Sequence, residues 1–175
     1  MKKNLIAMAI AATAVLSAAN AFAAAGQVNF TGEIIDAGCE VVNTVASPLA
    51  IDLGRVAKSE FTTLNLLSAA TDFDIKLTNC PTTVSTARIT FDGTALNGDT
   101  SLLKLTDTAG VATGVGVQLS DSAGVLPLRQ ASASYTLVSG STVNELPFTA
   151  RYKAVDTNVT SGPANATVNF SVLYN

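Results

Sequence analysis

Apolar and polar residues alternate one by one along much of this chain. The clearest run is Gly162 to Asn175, where Ala166, Val168, Phe170, Val172 and Tyr174 share one face and Thr167, Asn169 and Ser171 the other. A period of two predicts a strand with one buried face. No later segment follows it, so its free edge is expected to pair with an earlier segment or with a partner. Gly26 to Asp36 alternates in the same way, with Val28, Phe30, Gly32 and Ile34 on one face and Gln27, Asn29, Thr31 and Glu33 on the other. About ten extended residues reach roughly 33 Å, enough to run alongside the whole terminal strand of another molecule.

Between these runs, short apolar segments are separated by turn residues. Val41–Val45 and Leu49–Leu53 flank Ser47-Pro48, Phe73, Ile75 and Leu77 alternate up to Cys80, and Ile89 and Phe91 precede Asp92-Gly93. Leu103 and Leu105 follow, then Val115, Val117 and Leu119 before Asp121-Ser122-Ala123-Gly124, a hairpin turn into Val125–Leu128. Tyr135 and Leu137, then Leu146, Phe148, Ala150 and Tyr152, continue the pattern. Such spacing predicts an all-β sandwich. Only Lys58–Ala70 offers a short helix, and its Thr, Asn and Ser content argues against one.

The first residues change the picture. Lys2 and Lys3, the apolar run Leu5–Leu16 and Ala21-Phe22-Ala23 form a secretory signal with cleavage expected between Ala23 and Ala24. The remainder has one domain's length, and no later run is apolar and long enough to enter a membrane. In an exported chain the two cysteines, Cys39 and Cys80, read as one disulfide. Closing that loop stabilises the fold by about 4 kcal/mol in the chain-entropy model. The formal net charge is −3, and losing Lys2 and Lys3 makes the remainder more acidic. No basic stripe exists for nucleic acid. The chain has no histidine and no paired-carboxylate motif, so neither an enzyme nor a cofactor is expected. Asp72 and Asp74 read as a solvated strand face and not as a metal site.

Several of these residues coincide with a family pattern. Gly162 stands fourteenth from the end, Tyr174 is penultimate and apolar residues alternate between them; the leading strand carries a mid-strand glycine, Gly32. Leu77-Thr78-Asn79-Cys80 and Phe148-Thr149-Ala150-Arg151-Tyr152 match as well. Over its whole length the chain resembles fimbrial (pilin) subunits of the chaperone–usher class of Gram-negative bacteria, most similarly the type 1 fimbrial major subunit.

That resemblance implies an incomplete immunoglobulin-like β-sandwich lacking its last strand, with a groove beside the terminal strand. A periplasmic pilus chaperone fills the groove first, and the N-terminal strand of the next subunit replaces it, a known case of β-augmentation. The implied layout is a signal peptide over 1–23, a donor extension over 24–38 and a pilin domain over 39–175. The donor face is Val28, Phe30, Gly32 and Ile34. The acceptor strand holds Gly162, Ala166, Val168, Phe170, Val172 and Tyr174, and Asn175 supplies the carboxylate that family chaperones anchor. The implied partners are copies of this chain or other pilins in a linear polymer and an outer-membrane usher, with the product a fimbrium at the cell surface that supports adhesion. The alternatives are a minor adaptor or single-domain adhesive subunit of such a fimbria, an ordinary domain whose first strand, Gln27–Ile35, pairs within its own molecule, and a self-contained secreted sandwich that binds a small ligand and never polymerises.

Overall fold

The computed structural model describes residues 26–32, Ile34 and residues 38–175; the expected cleavage site at Ala23 and Ala24 lies outside them, as do Glu33 and residues 35–37. The chain divides into a leading unit, Met1–Ile34, and a domain, Ile35–Asn175.

Among the described residues the domain is built of strands, with one 3-10 turn at Lys58–Glu60. In chain order the strands are β1 (Glu40–Val41), β2 (Thr71–Thr78), β3 (Thr86–Asp92), β4 (Ala95–Leu96), β5 (Asp99–Leu103), β6 (Val115–Asp121), β7 (Gly124–Val125), β8 (Tyr135–Thr136), β9 (Asn144–Ala154) and β10 (Asn169–Tyr174). The larger sheet runs β1-β2-β9-β6-β5-β4, with β7 also on β6; the smaller runs β10-β3-β8. Every described pairing is antiparallel.

The alternation explains why these segments pack as they do. The register Phe73↔Phe148 and Ile75↔Leu146 sets the apolar faces of β2 and β9 side by side. From the smaller sheet Ile89 and Phe91 complete the layer, and the ring of Phe91 meets that of Phe148 edge-on at 5.2 Å. Each such side chain stabilises the fold by about 1.5–3 kcal/mol on full burial. The expected disulfide joins Cys39, just before β1, to Cys80, just after β2. The expected hairpin also forms: Asp121 pairs with Gly124, its Oδ1 accepts the amide of Ala123, and Gly124 takes a φ of 122° that suits glycine.

Other expectations need correction. Of Val41–Val45 and Leu49–Leu53, only Glu40–Val41 is a strand. The amide of Lys76 goes to the Asn43 side chain in place of a ladder carbonyl, and Ser47 then turns back onto Thr44. Lys58–Ala70 gives no helix beyond the 3-10 turn; Asn65 sits at φ 67° and Leu67 bridges to Lys153. Gly26–Asp36, expected to pair with another molecule, carries no strand among its described residues, and a strand forms only by joining a ladder. The terminal strand is shorter than its alternation, beginning at Asn169. Its lead-in bonds to loops instead, Pro163 accepting from Ala112 and Asn165 from Thr106. Finally, β6 is buried on both faces, and at Gly116 the cover comes from Leu96 and Leu102 of the β4–β5 hairpin.

Candidate acceptor groove

β10 makes its ladder with β3 alone: Phe170 opposes Phe91, Val172 opposes Ile89 and Tyr174 opposes Ala87. Its other edge has no ladder partner among the described residues and borders an open groove of about 1270 Å³. One wall is the alternating face of the terminal segment, Ala166, Val168, Phe170, Val172 and Tyr174. The other is the segment that fails to become a strand, chiefly Leu49, Ile51 and Leu53. Ile75, Phe91, Val117 and Leu119 form the floor.

Burial changes abruptly across the smaller sheet. Ile89 and Phe91 on β3 are 0% and 1% exposed, whereas Phe170, Val172 and Tyr174 on the adjacent strand are only half-buried although they pack against the same core. Apolar side chains left at a strand edge with unpaired backbone are a template for another strand. The groove therefore offers main-chain hydrogen bonding and apolar burial together.

Local details hold the wall in place. Gly162 crosses the 110–112 loop so closely that a Cβ there would collide with the carbonyl oxygen of Gly110 and lie 2.8 Å from the amide nitrogen of Ala112. Glycine is required by close approach of backbone at that point. At the opposite end the ring of Tyr174 lies where a Cβ on Gly38 would stand, and its hydroxyl donates to the carbonyl of Cys39 at 3.2 Å. The Asn175 oxygen accepts from the amides of Ser85 and Thr86, both at 2.9 Å, so the residue expected to anchor a chaperone is also held by the start of β3.

Tyr152 lines the groove from β9 and donates its hydroxyl to the carbonyl of Ala164 at 2.9 Å. Burial raises its phenol pKa, with the charge of Asp52 adding to the effect. Burial also raises that of Tyr174. The sequence pattern singled out Tyr152 without a role; its partner lies across the groove, where alternation gives no signal. The wall residues Leu49, Ile51 and Leu53 were legible as apolar but not as groove lining.

The residues expected to form a donor face lie in the leading unit. Val28, Phe30 and Ile34 are 74%, 93% and 100% exposed, and nothing stands within 4 Å of a Cβ built on Gly32. Three large apolar side chains on one alternate face are thus uncovered.

The family model for fimbrial proteins matches residues 28–175. The chain is 37% identical over 176 residues to long polar fimbria protein A of Salmonella typhimurium strain LT2, covering 99% of this chain and 97% of that protein. It is 39% identical over 183 residues to the type-1 fimbrial protein, C chain, of Escherichia coli, with 99% of both covered. Among solved structures it is similar to the P pilus rod subunit PapA, with a TM-score of 0.65, 27% identity and coverage of 79% of this chain and 100% of that one. A subunit from the structure of a chaperone–usher pilus, described for rod uncoiling, gives a TM-score of 0.64 at 27% identity, covering 86% of this chain and 95% of that one.

Proposed function

The chain belongs to the fimbrial protein family, and on that premise we propose how this structural subunit of a chaperone–usher pilus joins its neighbours. The sandwich is of the incomplete immunoglobulin-like kind, and a family of structural subunits implies a non-enzymatic chain. Val28, Phe30 and Ile34 enter the groove of a neighbouring copy along the free edge of β10, with Gly32 where a side chain does not fit. The acceptor is the wall from Gly162 to Asn175. The observation that supports this reading is the coexistence of an apolar groove of about 1270 Å³ beside a strand edge unpaired among the described residues with three exposed apolar residues, Val28, Phe30 and Ile34, at even spacing in the leading unit.

Each donor side chain gains about 1.5–3 kcal/mol on burial, as an upper bound, enough together to offset ordering of the tail. Such an interface is heterologous and does not close, so it grows as a fibre. Before assembly the same groove takes a strand from a periplasmic chaperone, and an outer-membrane usher receives the complex after export and removal of residues 1–23. The finished chain sits in a surface fimbrium.

Thermal unfolding of the oxidised domain lacking residues 24–35, with and without a peptide of residues 24–38, tests the reading. The expected result is an unstable domain whose melting temperature the peptide raises, and a Gly32→Leu peptide does so far less. A domain that melts at the same high temperature without any peptide overturns donor-strand uptake.

A further inference from the structure

All three tyrosines of the chain make the same kind of bond. Tyr135 on β8 donates to the carbonyl of Pro147 on β9 at 2.8 Å, Tyr152 on β9 donates to Ala164 in the lead-in to β10, and Tyr174 on β10 donates to Cys39 just before β1. Each phenol starts from one sheet, or the segment continuing it, and ends on the backbone of the other. A tyrosine ring with one hydrogen bond is of the order of the spacing between packed sheets, about 10 Å.

Two of the three line the groove and the third does not. Tyr152 fixes the wall at Ala164 and Tyr174 fixes it at the far end, roughly 33 Å away along an extended chain. An apolar groove in water is driven to close by the same effect that drives donor uptake. Closing it would move each carbonyl off its phenol and leave two polar groups unpaired in a partly buried place. The tyrosine side chain has only two flexible torsions, so it yields little before the bond breaks.

We infer that Tyr152 and Tyr174 are struts that hold the two ends of the groove apart and keep it receptive to an incoming strand, whereas Tyr135 ties the same sheets together outside the groove. They are positioning residues, acting through the wall they hold. The inference rests on the donor-strand reading above.

The test is the association rate of a fluorescent peptide of residues 24–38 with the full oxidised chain, measured beside its melting temperature. Tyr152→Phe and Tyr174→Phe are each expected to slow association roughly three- to tenfold, the worth of one hydrogen bond. Tyr135→Phe should lower the melting temperature and associate at the wild-type rate. Two independent ends keep the test decisive if one variant fails to fold. If all three variants associate as fast as wild type, or all three slow in proportion to their lost melting temperature, the struts are ordinary stabilising bonds and the inference is wrong while donor uptake stands. If the wild-type chain takes up no peptide at all, the donor-strand reading falls, and the struts with it.

Discussion

The ring of Phe170 meets that of Phe91 edge-on at 6.5 Å, yet Phe91 is excluded from solvent and Phe170 is half-buried. The two are register partners on adjacent strands, so the core stops between them. Phe91→Ala should cost about 3–5 kcal/mol whatever occupies the groove. Phe170→Ala should cost clearly less in the free chain, because part of its surface already faces water, and more once a peptide of residues 24–38 covers it. Chemical denaturation of both variants with and without that peptide measures the four values. An equal cost for Phe170→Ala in both states would mean that the peptide does not lie over β10.

Tyr135 carries a second prediction, for alkaline pH. Burial, assisted by the charge of Asp121, pushes its phenol up from 10.0 to about 12. A pKa raised by folding adds stability that is complete below about pH 10 and is lost as pH climbs toward about 12, because the unfolded phenol gives up its proton first. Lys76, held up mainly by its hydrogen bond to Glu145, shifts in the same direction, so the wild-type slope is not due to Tyr135 alone. The comparison isolates it. Tyr135→Phe also loses the bond to Pro147, which lowers stability at every pH, but its fall between pH 10 and 12 should be shallower than that of wild type. Parallel curves from equilibrium unfolding across that range would show that the phenol keeps its ordinary pKa.

The strands that carry the core were legible because each sets one apolar face against it. Phe73 and Ile75, Ile89 and Phe91, and Leu146 and Phe148 alternate in sequence and meet in space. Leu49, Ile51 and Leu53 alternate just as well and yet form no strand. Alternation reports which side of a segment turns toward apolar surroundings, and here that side lines a groove, which leaves Leu49 and Ile51 exposed. Gly116, Gln118 and Ser120 on β6 failed in the opposite sense: small and polar residues gave no sign that this face is buried too, with Leu96 and Leu102 lying over Gly116. The bond from Tyr174 to Cys39 spans 135 positions, and no local pattern encodes such a partner. Gly162 was visible as a position in a family pattern, but the loop that makes it necessary was not.

That crossing gives the last prediction. The atoms nearest a Cβ on Gly162 are the carbonyl oxygen of Gly110, the amide nitrogen of Ala112 and the carbonyl carbon of Val111, all of them backbone. No side chain can turn aside to admit a methyl group, so the 110–112 loop or the lead-in to β10 has to move. Either movement strains the bond from the amide of Ala112 to the carbonyl of Pro163, at 2.9 Å. Overpacking of this kind costs about 1–3 kcal/mol. Gly162→Ala should therefore lower the unfolding free energy by that amount, read as a lower denaturation midpoint at unchanged m, and weaken capture of a peptide of residues 24–38, since the shifted lead-in also carries Ala164 and Ala166 in the groove wall. Gly26→Ala is the control: nothing lies within 4 Å of its added Cβ, and its stability should stay within about 0.5 kcal/mol of wild type. If Gly162→Ala is as silent as Gly26→Ala, the two backbones do not cross as closely as described, and the glycine serves some purpose other than packing.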